Sequence, residues 1–159
     1  RGVTLQILLT NDDGIDAPGI AALRRALDGV GEITTLAPAA NSSAAARSIT
    51  IDRALRPERM PFGDGFEGLA LDGTPSDCVR VALLGVVTPV PDLVVSGINL
   101  GANLGADVTY SGTVGAALEA ALRGGVVPPV VVAEDGMDAE RRLKACQRLG
   151  PPGVGDWRE

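Results

Sequence analysis

The chain has 159 residues, enough for one domain with a single core, and 45% of them are hydrophobic although only 3% are aromatic. Its formal charge of −6 opposes binding to a long nucleic acid, because such binding needs many Lys and Arg side chains against the phosphates. The sequence has no histidine and its only lysine is Lys144, which excludes a Ser-His-Asp triad, a Walker lysine and the usual His/Cys zinc site.

Its two cysteines, Cys78 and Cys146, do not make a disulfide framework, and nothing at the N-terminus resembles a signal peptide. The apolar runs are shorter than the roughly 20 residues that a membrane-spanning helix needs. The sequence therefore predicts a cytoplasmic protein with no membrane partner.

The first half of the chain alternates predicted strands and helices. An apolar run over Val3–Thr10 predicts a strand buried on both faces, and a helix is expected over Pro18–Asp28 with Asp16 as a candidate N-cap. A second strand over Ile33–Ala37 precedes a loop of small and polar residues. Ile49–Met60 fits no single element, and Pro61–Gly68 is interpreted as a turn.

The second half continues the alternation. Thr74, Pro75 and Asp77 have the N-cap, N1 and N3 spacing of a capping box, which predicts the start of a helix. The other predicted elements are strands over Leu69–Asp72, Leu93–Ser96 and Val126–Ala133, the last an edge or late-starting strand because of Pro128 and Pro129, and helices over Val114–Arg123 and Asp138–Leu149.

This alternation predicts an α/β fold, a Rossmann-like doubly wound sheet that is mainly parallel, in three layers. Such sheets bind ligands beyond the carboxyl ends of their strands. The loops that contain Asp12 and Asp13, Ser43, and the glycines after Ser96 all follow predicted strands, so we expect them to meet at that edge.

Asp12 and Asp13 stand side by side in "LLTNDDG", where their like charges repel. As turn formers before Gly14 they need no further explanation. A shared divalent cation would instead remove the electrostatic cost of keeping both ionised. The sequence alone leaves both interpretations open.

Ser43, Asn99 and Asn103 are the other candidate polar residues of these loops, and each is also a common turn residue. Together with the aspartates they offer carboxylate, hydroxyl and amide oxygens. Oxygen ligands select a hard ion, Mg²⁺ or Mn²⁺ first and Ca²⁺ less readily.

The stretch "SGINLGANLGADVTYSGTVG" contains five glycines, which let the backbone approach a ligand closely, and "YSGT" precedes a helix whose N-terminal N–H groups could hold a phosphate. It matches neither the dinucleotide fingerprint nor the P-loop. A dinucleotide cofactor and an ATPase are therefore disfavoured.

Four motifs resemble the SurE survival-protein family, the metal-dependent 5′/3′-nucleotidases. They are "ILLTNDDGIDAPGI", "GTPSDCV", "DLVVSGINLGANLG" and "YSGTVGAALE", in the family's order, and the match runs from about Leu5 to Val132. The resemblance implies hydrolysis of nucleoside 5′- and 3′-monophosphates. Our hypothesis for the mechanism is that the ion activates a water molecule which Asp12 or Asp13 orients or deprotonates, since the chain has no histidine to act as base.

The same resemblance implies a role for each site residue. The divalent ion would be held by Asp12, Asp13, Ser43 and Asn99. The phosphate contacts would come from Ser111, Gly112 and Thr113, and Asn11 and Asn103 would be supporting or substrate-binding residues.

The resemblance has two departures. Ala39 to Ser42 replace residues that are usually charged in the family, and residues 134–159 match no part of its pattern, as if a single SurE-like domain over 1–159 were truncated or recombined at its end. A family-type homodimer or tetramer depends on those C-terminal elements. An alternative is a nucleotide-binding or metal-binding module, or an assembly fragment, without turnover.

Overall fold

The computed structural model describes residues 4–101, 103, 105–123 and 130–133. Its elements in chain order are β1 (Gln6–Thr10), α1 (Pro18–Ala26), β2 (Glu32–Pro38), β3 (Pro57–Phe62), β4 (Phe66–Leu71), α2 (Pro75–Val81), β5 (Leu93–Asn99), α3 (Gly112–Leu122) and β6 (Val130–Ala133). A π-helical turn, Ala82–Val86, follows α2, and a 3₁₀ turn, Gly105–Thr109, precedes α3. No helix within these ranges is long and apolar enough to cross a membrane.

The strands form one six-stranded sheet in the order β3-β4-β2-β1-β5-β6. Every neighbouring pair is parallel except β3 and β4, which confirms the mainly parallel α/β prediction. From β1 the chain adds β2 on one side and later β5 on the other. The carboxyl ends of β1 and β5 therefore border the crevice where doubly wound sheets bind ligands.

Helices cover both faces of this sheet and give the three predicted layers. Leu9 and Val95 face the side covered by α1, where Ile20 packs against them. The alternate residues Leu8 and Val94 face the side of α2 and α3. Each central strand is apolar on both faces because both faces are covered, which explains its nearly continuous run of hydrophobic residues.

The hairpin of β3 and β4 is the main departure from the predicted elements. The expected turn over Pro61–Gly68 was too long, because β3 ends at Phe62 and β4 begins at Phe66. The two phenyl rings pack with centroids 5.6 Å apart. Proline is tolerated in β3 because β3 is the outermost strand on its side of the described sheet.

The helix ends agree with the sequence in part. The capping box is confirmed, since Thr74 Oγ1 accepts from the Asp77 N–H at 3.1 Å and the Asp77 carboxylate accepts from the Thr74 N–H at 2.9 Å. Asp16 as N-cap of α1 was wrong, because that position is Ala17, without a side-chain hydrogen bond. Residues 126–129 of the last predicted strand and the helix expected over Asp138–Leu149 lie outside the described residues.

Candidate metal and phosphate site

Asp12 lies just beyond β1 and is almost fully buried, with 3% of its surface exposed. Its Oδ1 accepts a hydrogen bond from the Thr113 hydroxyl at 2.5 Å, and the same hydroxyl oxygen is 3.3 Å from Oδ1 of Asn99. Residues 12, 99 and 113 are far apart in sequence, yet one hydroxyl connects their oxygens. The structure thus brings the first aspartate and the asparagine of the glycine-rich stretch together.

Asp13 is half-buried beside this group, and its Oδ2 accepts from the backbone N–H of Leu100 at 2.9 Å. Burial raises the pKa of the Asp13 carboxyl, the Leu100 N–H opposes that rise, and the charge of Asp12 adds to it. A bound cation would oppose both the burial and the repulsion, so this pair is suited to holding one.

The loop after β2 is hydrogen-bonded to both neighbouring segments. The Ser42 N–H donates to the carbonyl of Asp12 at 2.7 Å, and the Ala46 N–H donates to the carbonyl of Tyr110 at 3.0 Å. Ser43 is exposed, and its N–H donates to Oδ1 of Asn41 at 2.8 Å. The predicted ligand Ser43 therefore directly follows Ser42, the residue whose N–H contacts the carbonyl of Asp12.

Two alanines of this loop adopt a backbone conformation that favours glycine. Ala44 has φ 61° and Ala46 has φ 50°. Such a residue carries roughly 1–2 kcal/mol of strain when it is not glycine. The hydrogen bonds at Ser42 and Ala46 hold the loop in this shape.

The N-terminus of α3 lies against Asp12. The hydroxyl of Ser111 caps the helix by accepting from the Val114 N–H at 3.2 Å. Gly112 is in such close contact that a Cβ there would be 2.7 Å from Cβ of Asp12. The N–H groups of Gly112 and Thr113 have no acceptor within the helix, as at every helix start, so they are available to an anion beside Asp12.

The structure gives the three predicted phosphate residues different positions. Ser111 and Gly112 are buried, and the Ser111 hydroxyl is used as the cap. Thr113 is fully buried, and its hydroxyl supports Asp12. A phosphate contact from this segment would therefore come from its backbone.

Asn11 and Asn103 were predicted as supporting or substrate-binding residues. Asn11 is buried, and its Nδ2 donates to the carbonyl of Gly14 at 2.8 Å, which shapes the turn that presents the two aspartates. Asn103 is half-buried, and its Nδ2 has no hydrogen-bond partner among the described residues. Asn11 therefore supports the turn, and the role of Asn103 stays a prediction.

The donor set fits a hard divalent cation. In the described part of the chain, no three His, Cys, Asp or Glu side chains cluster as they would in a conventional metal site. The residues that the structure brings together offer two carboxylates and the amide oxygen of Asn99. The predicted fourth ligand, the Ser43 hydroxyl, is in the loop whose Ser42 N–H contacts the Asp12 carbonyl. Carboxylate, carbonyl and hydroxyl oxygens suit Mg²⁺ and Mn²⁺.

Sequence reasoning missed two of the contacts that shape this site. The Leu100 N–H that holds Asp13 is a backbone group, and a backbone donor leaves no signature in side-chain identity. Thr113 was expected to contact phosphate, and its support of Asp12 depends on how closely α3 approaches the strand end. The glycine at 112, which permits that approach, was the available signal.

The fold and the site together define a doubly wound α/β protein with a candidate oxygen-ligand cation site at the topological switch point. The family described as "Survival protein SurE" matches residues 7–147. The chain therefore belongs to the SurE survival-protein family, as its motifs indicated.

Several relatives place the chain within this family. It is 55% identical over 129 residues to the "5′-nucleotidase SurE" of Rubrobacter xylanophilus, covering 80% of this chain and 48% of the relative. The protein of the same description from Methanopyrus kandleri is 47% identical over 139 residues, covering 87% and 52%. The crystal structure of the SurE protein from Aquifex aeolicus superposes with a TM-score of 0.76 at 38% identity, covering 91% and 58%. The chain spans about half the length of the curated relatives it matches.

Proposed function

We propose that the protein hydrolyses nucleoside 5′-monophosphates, and also 3′-monophosphates, to nucleoside and phosphate with one bound Mg²⁺ or Mn²⁺. The observation that supports this proposal best is the gathering of Asp12, Asp13 and Asn99 beside the first turn of α3. Relatives described as 5′-nucleotidases support the substrate class.

In this proposal Asp12, Asp13, Asn99 and Ser43 hold the cation. Such an ion supplies Lewis-acid polarisation of the phosphate and lowers the pKa of a water molecule. Thr113 and the Leu100 N–H each occupy one oxygen of an aspartate, which fixes the direction of the other.

One of the two aspartates orients the attacking water or accepts its proton, since the chain has no histidine for that task. The water oxygen forms a bond to phosphorus as the ester P–O bond breaks, and the leaving sugar oxygen receives a proton. The N–H groups of Gly112 and Thr113 stabilise the negative charge on the transferring group.

The test is phosphate release from a panel of nucleoside monophosphates with Mg²⁺, Mn²⁺ or Ca²⁺. We expect release with the first two ions, its loss in EDTA, and a fall of at least about a hundredfold for Asp13→Asn, because loss of even a supporting residue of a metal site costs about 10–100-fold. Asp28→Asn is the matched control, because Asp28 is an exposed carboxylate at the end of α1.

The chain covers only 48% of the length of the Rubrobacter xylanophilus relative. This observation favours one alternative, a module that binds metal or nucleotide without turnover. Wild-type protein that binds Mn²⁺ but releases no phosphate from any nucleotide would establish the alternative. Equal activity of Asp13→Asn and Asp28→Asn would refute the proposed site.

A further inference from the structure

The carboxylate of Asp77, at the start of α2, binds the far end of the loop that contains Ser43. Its two oxygens accept from the backbone N–H of Thr50 at 3.0 and 3.2 Å, and its Oδ2 also accepts from the Thr50 hydroxyl at 2.7 Å. The neighbouring Thr74 hydroxyl donates to the carbonyl of Ser48 at 2.6 Å. Two side chains at the start of α2 therefore hold this loop.

The capping box of α2 does not account for these contacts. The box needs only the hydrogen bonds between Thr74 and Asp77. Asp77 has 2% of its surface exposed, and a buried carboxylate needs donors for its oxygens. Thr50 supplies two of these donors, and hydrogen bonds to a carboxylate are stronger than those between neutral groups. Asp77 is thus an attachment point for the loop as well as part of a helix cap.

Further hydrogen bonds lead along the loop from α2 to Asp12. The Ser48 N–H donates to the carbonyl of Ala45, and the Ala45 N–H donates to the carbonyl of Ser42, each at 3.1 Å. The Ser42 N–H donates to the carbonyl of Asp12 at 2.7 Å. Ser43 lies inside the first of these two turns, between Ser42 and Ala45. The loop is therefore a pair of turns that is fixed to Asp12 at one end and to α2 at the other.

The two turns are unfavourable without their end contacts. Ala44, with φ 61°, is the third residue of the turn over 42–45, and Ala46, with φ 50°, is the second residue of the turn over 45–48. Turns with these φ values favour glycine at those positions, and alanine there is strained. Residues 42–50, all of which the structure describes, form no strand or helix. The shape of the loop therefore depends on its attachments.

We propose that Thr50 and Asp77 are positioning residues of the candidate cation site, an inference that rests on the proposed function and its bound cation. Their contact fixes the outer end of the two turns, which keeps Ser43 within reach of the ion that Asp12 holds. Neither residue binds the ion or the substrate. Loss of their contact lets the strained turns relax, and the loop then moves away from Asp12.

Thr50→Val tests this contact without removing the cap of α2. It deletes the hydroxyl donor to Asp77 but keeps the N–H group and the size of the side chain, and Thr50→Ser is the matched variant that restores the hydroxyl. In metal-free protein we expect the N–H groups of Ser42 and Ala45 to exchange with solvent at least about tenfold faster in Thr50→Val, the scale for a lost hydrogen bond to a charged acceptor. Hydrogen exchange followed by NMR measures these rates. Thr50→Ser should stay close to the wild type.

The Leu8 N–H, in the buried centre of β1, reports the stability of the whole domain in the same experiment. Its exchange rate should change less than the rates at the two loop residues. Unchanged exchange at Ser42 and Ala45 in Thr50→Val, or an equal rise at Leu8, would overturn the proposal.

Mn²⁺ binding tests whether the contact acts through Ser43. We expect Thr50→Val to lower the affinity for Mn²⁺ by about tenfold, the lower end of the range for supporting residues of metal sites. In a Ser43→Ala background, which lacks the predicted ligand, the same substitution should change the affinity by less than about twofold, because the two effects are coupled. A purely structural role would lower the affinity equally in both backgrounds, and that result would overturn the proposal.

Neither measurement needs turnover, so this proposal and the proposed function can fail separately. If the protein releases no phosphate but Thr50→Val weakens Mn²⁺ binding only where Ser43 is present, the positioning role stands and the phosphatase fails. If phosphate is released and Thr50→Val exchanges and binds Mn²⁺ as the wild type does, the positioning role fails and the phosphatase stands. Wild-type protein that binds no Mn²⁺ would overturn both.

Discussion

Thr113 connects the two sides of the candidate site through a single hydroxyl group. It donates to Asp12 at 2.5 Å and is 3.3 Å from the amide oxygen of Asn99. Thr113→Val keeps the shape of the side chain but leaves a buried carboxylate oxygen without its donor. We expect about a 10–100-fold loss of Mn²⁺ affinity, as for other supporting residues of metal sites. Isothermal titration calorimetry with Mn²⁺ measures this affinity in the variant and in the wild type.

Thr113→Ser is the matched variant, since it restores the hydroxyl and lacks only the methyl group. Affinity and phosphate release should return toward wild-type values in this variant. The result that would contradict a positioning role is a Thr113→Val protein with wild-type metal affinity. A loss of stability alone, with metal affinity intact, would show that the hydroxyl serves only packing.

At the scale of single residues, the sequence predicts Asp12, Asp13 and Asn99 as site residues because each follows an apolar run that is typical of a strand. The sequence cannot predict which neighbouring group donates a hydrogen bond to each carboxylate oxygen. Leu100 acts through its N–H, and Asn11 acts by holding the carbonyl of Gly14, so neither role follows from residue type. These contacts depend on the path of the backbone.

At the scale of elements, α3 is in close contact with the loop that contains Ser43. A Cβ at Gly115 would be 2.3 Å from the carbonyl oxygen of Ala46. Helix propensity alone predicts that Gly115→Ala stabilises α3 by about 1 kcal/mol. The contact is with backbone, which cannot move aside cheaply, so we expect the opposite sign, a loss of about 1–3 kcal/mol as in other overpacked sites.

Denaturant unfolding measures this difference, with Leu118→Ala as the control on the exposed face of the same helix. The control should stay within about 0.5 kcal/mol of wild type. A stabilised Gly115→Ala protein would mean that α3 and the loop are not in contact. Phosphate release should also fall in this variant, because the loop would move away from Asp12.

Local patterns predict the elements well where one signal dominates. The capping box of α2 has its partners at fixed spacing, and the structure confirms it. The hairpin of β3 and β4 was missed because its prolines suggested a turn, and only the sheet order shows that β3 is an outermost strand where proline is tolerated. Asp16 failed as a cap because Pro18 places the first helical turn after Ala17.

At the scale of the molecule, the site joins segments that follow β1, β2 and β5 and the start of α3. A ligand that holds them together should therefore stabilise the whole domain. At a metal or nucleotide concentration 100 times Kd, linkage gives about 2.7 kcal/mol, which shifts Tm by roughly 5–10 °C for a domain of this size.

Calorimetry with Mn²⁺, with and without EDTA, tests this expectation. Asp12→Asn should remove the shift, and Asp28→Asn should retain it. A shift that persists in Asp12→Asn would place the ion elsewhere. The absence of any shift in wild-type protein at millimolar Mn²⁺ would argue against a resident cation.

The overall topology follows from the sequence because strand and helix patterns alternate and parallel crossovers are right-handed. The order of the strands does not follow from the sequence, because each crossover can add its strand on either side of the strands already present. The structure resolves this point by placing β5 beside β1. That one neighbour relation brings Asn99 to the aspartates.

The left-handed backbone of Ala44 and Ala46 has a consequence for recognition. Hydrogen bonds to the carbonyls of Asp12 and Tyr110 hold this loop in its unfavourable conformation. The loop therefore has its shape before the proposed cation binds. The conformational entropy of the loop is already lost when the chain folds, so binding of the cation does not have to pay this entropic cost again. We therefore expect the strain to favour tight binding of the proposed cation and to lower the thermal stability of the protein without it.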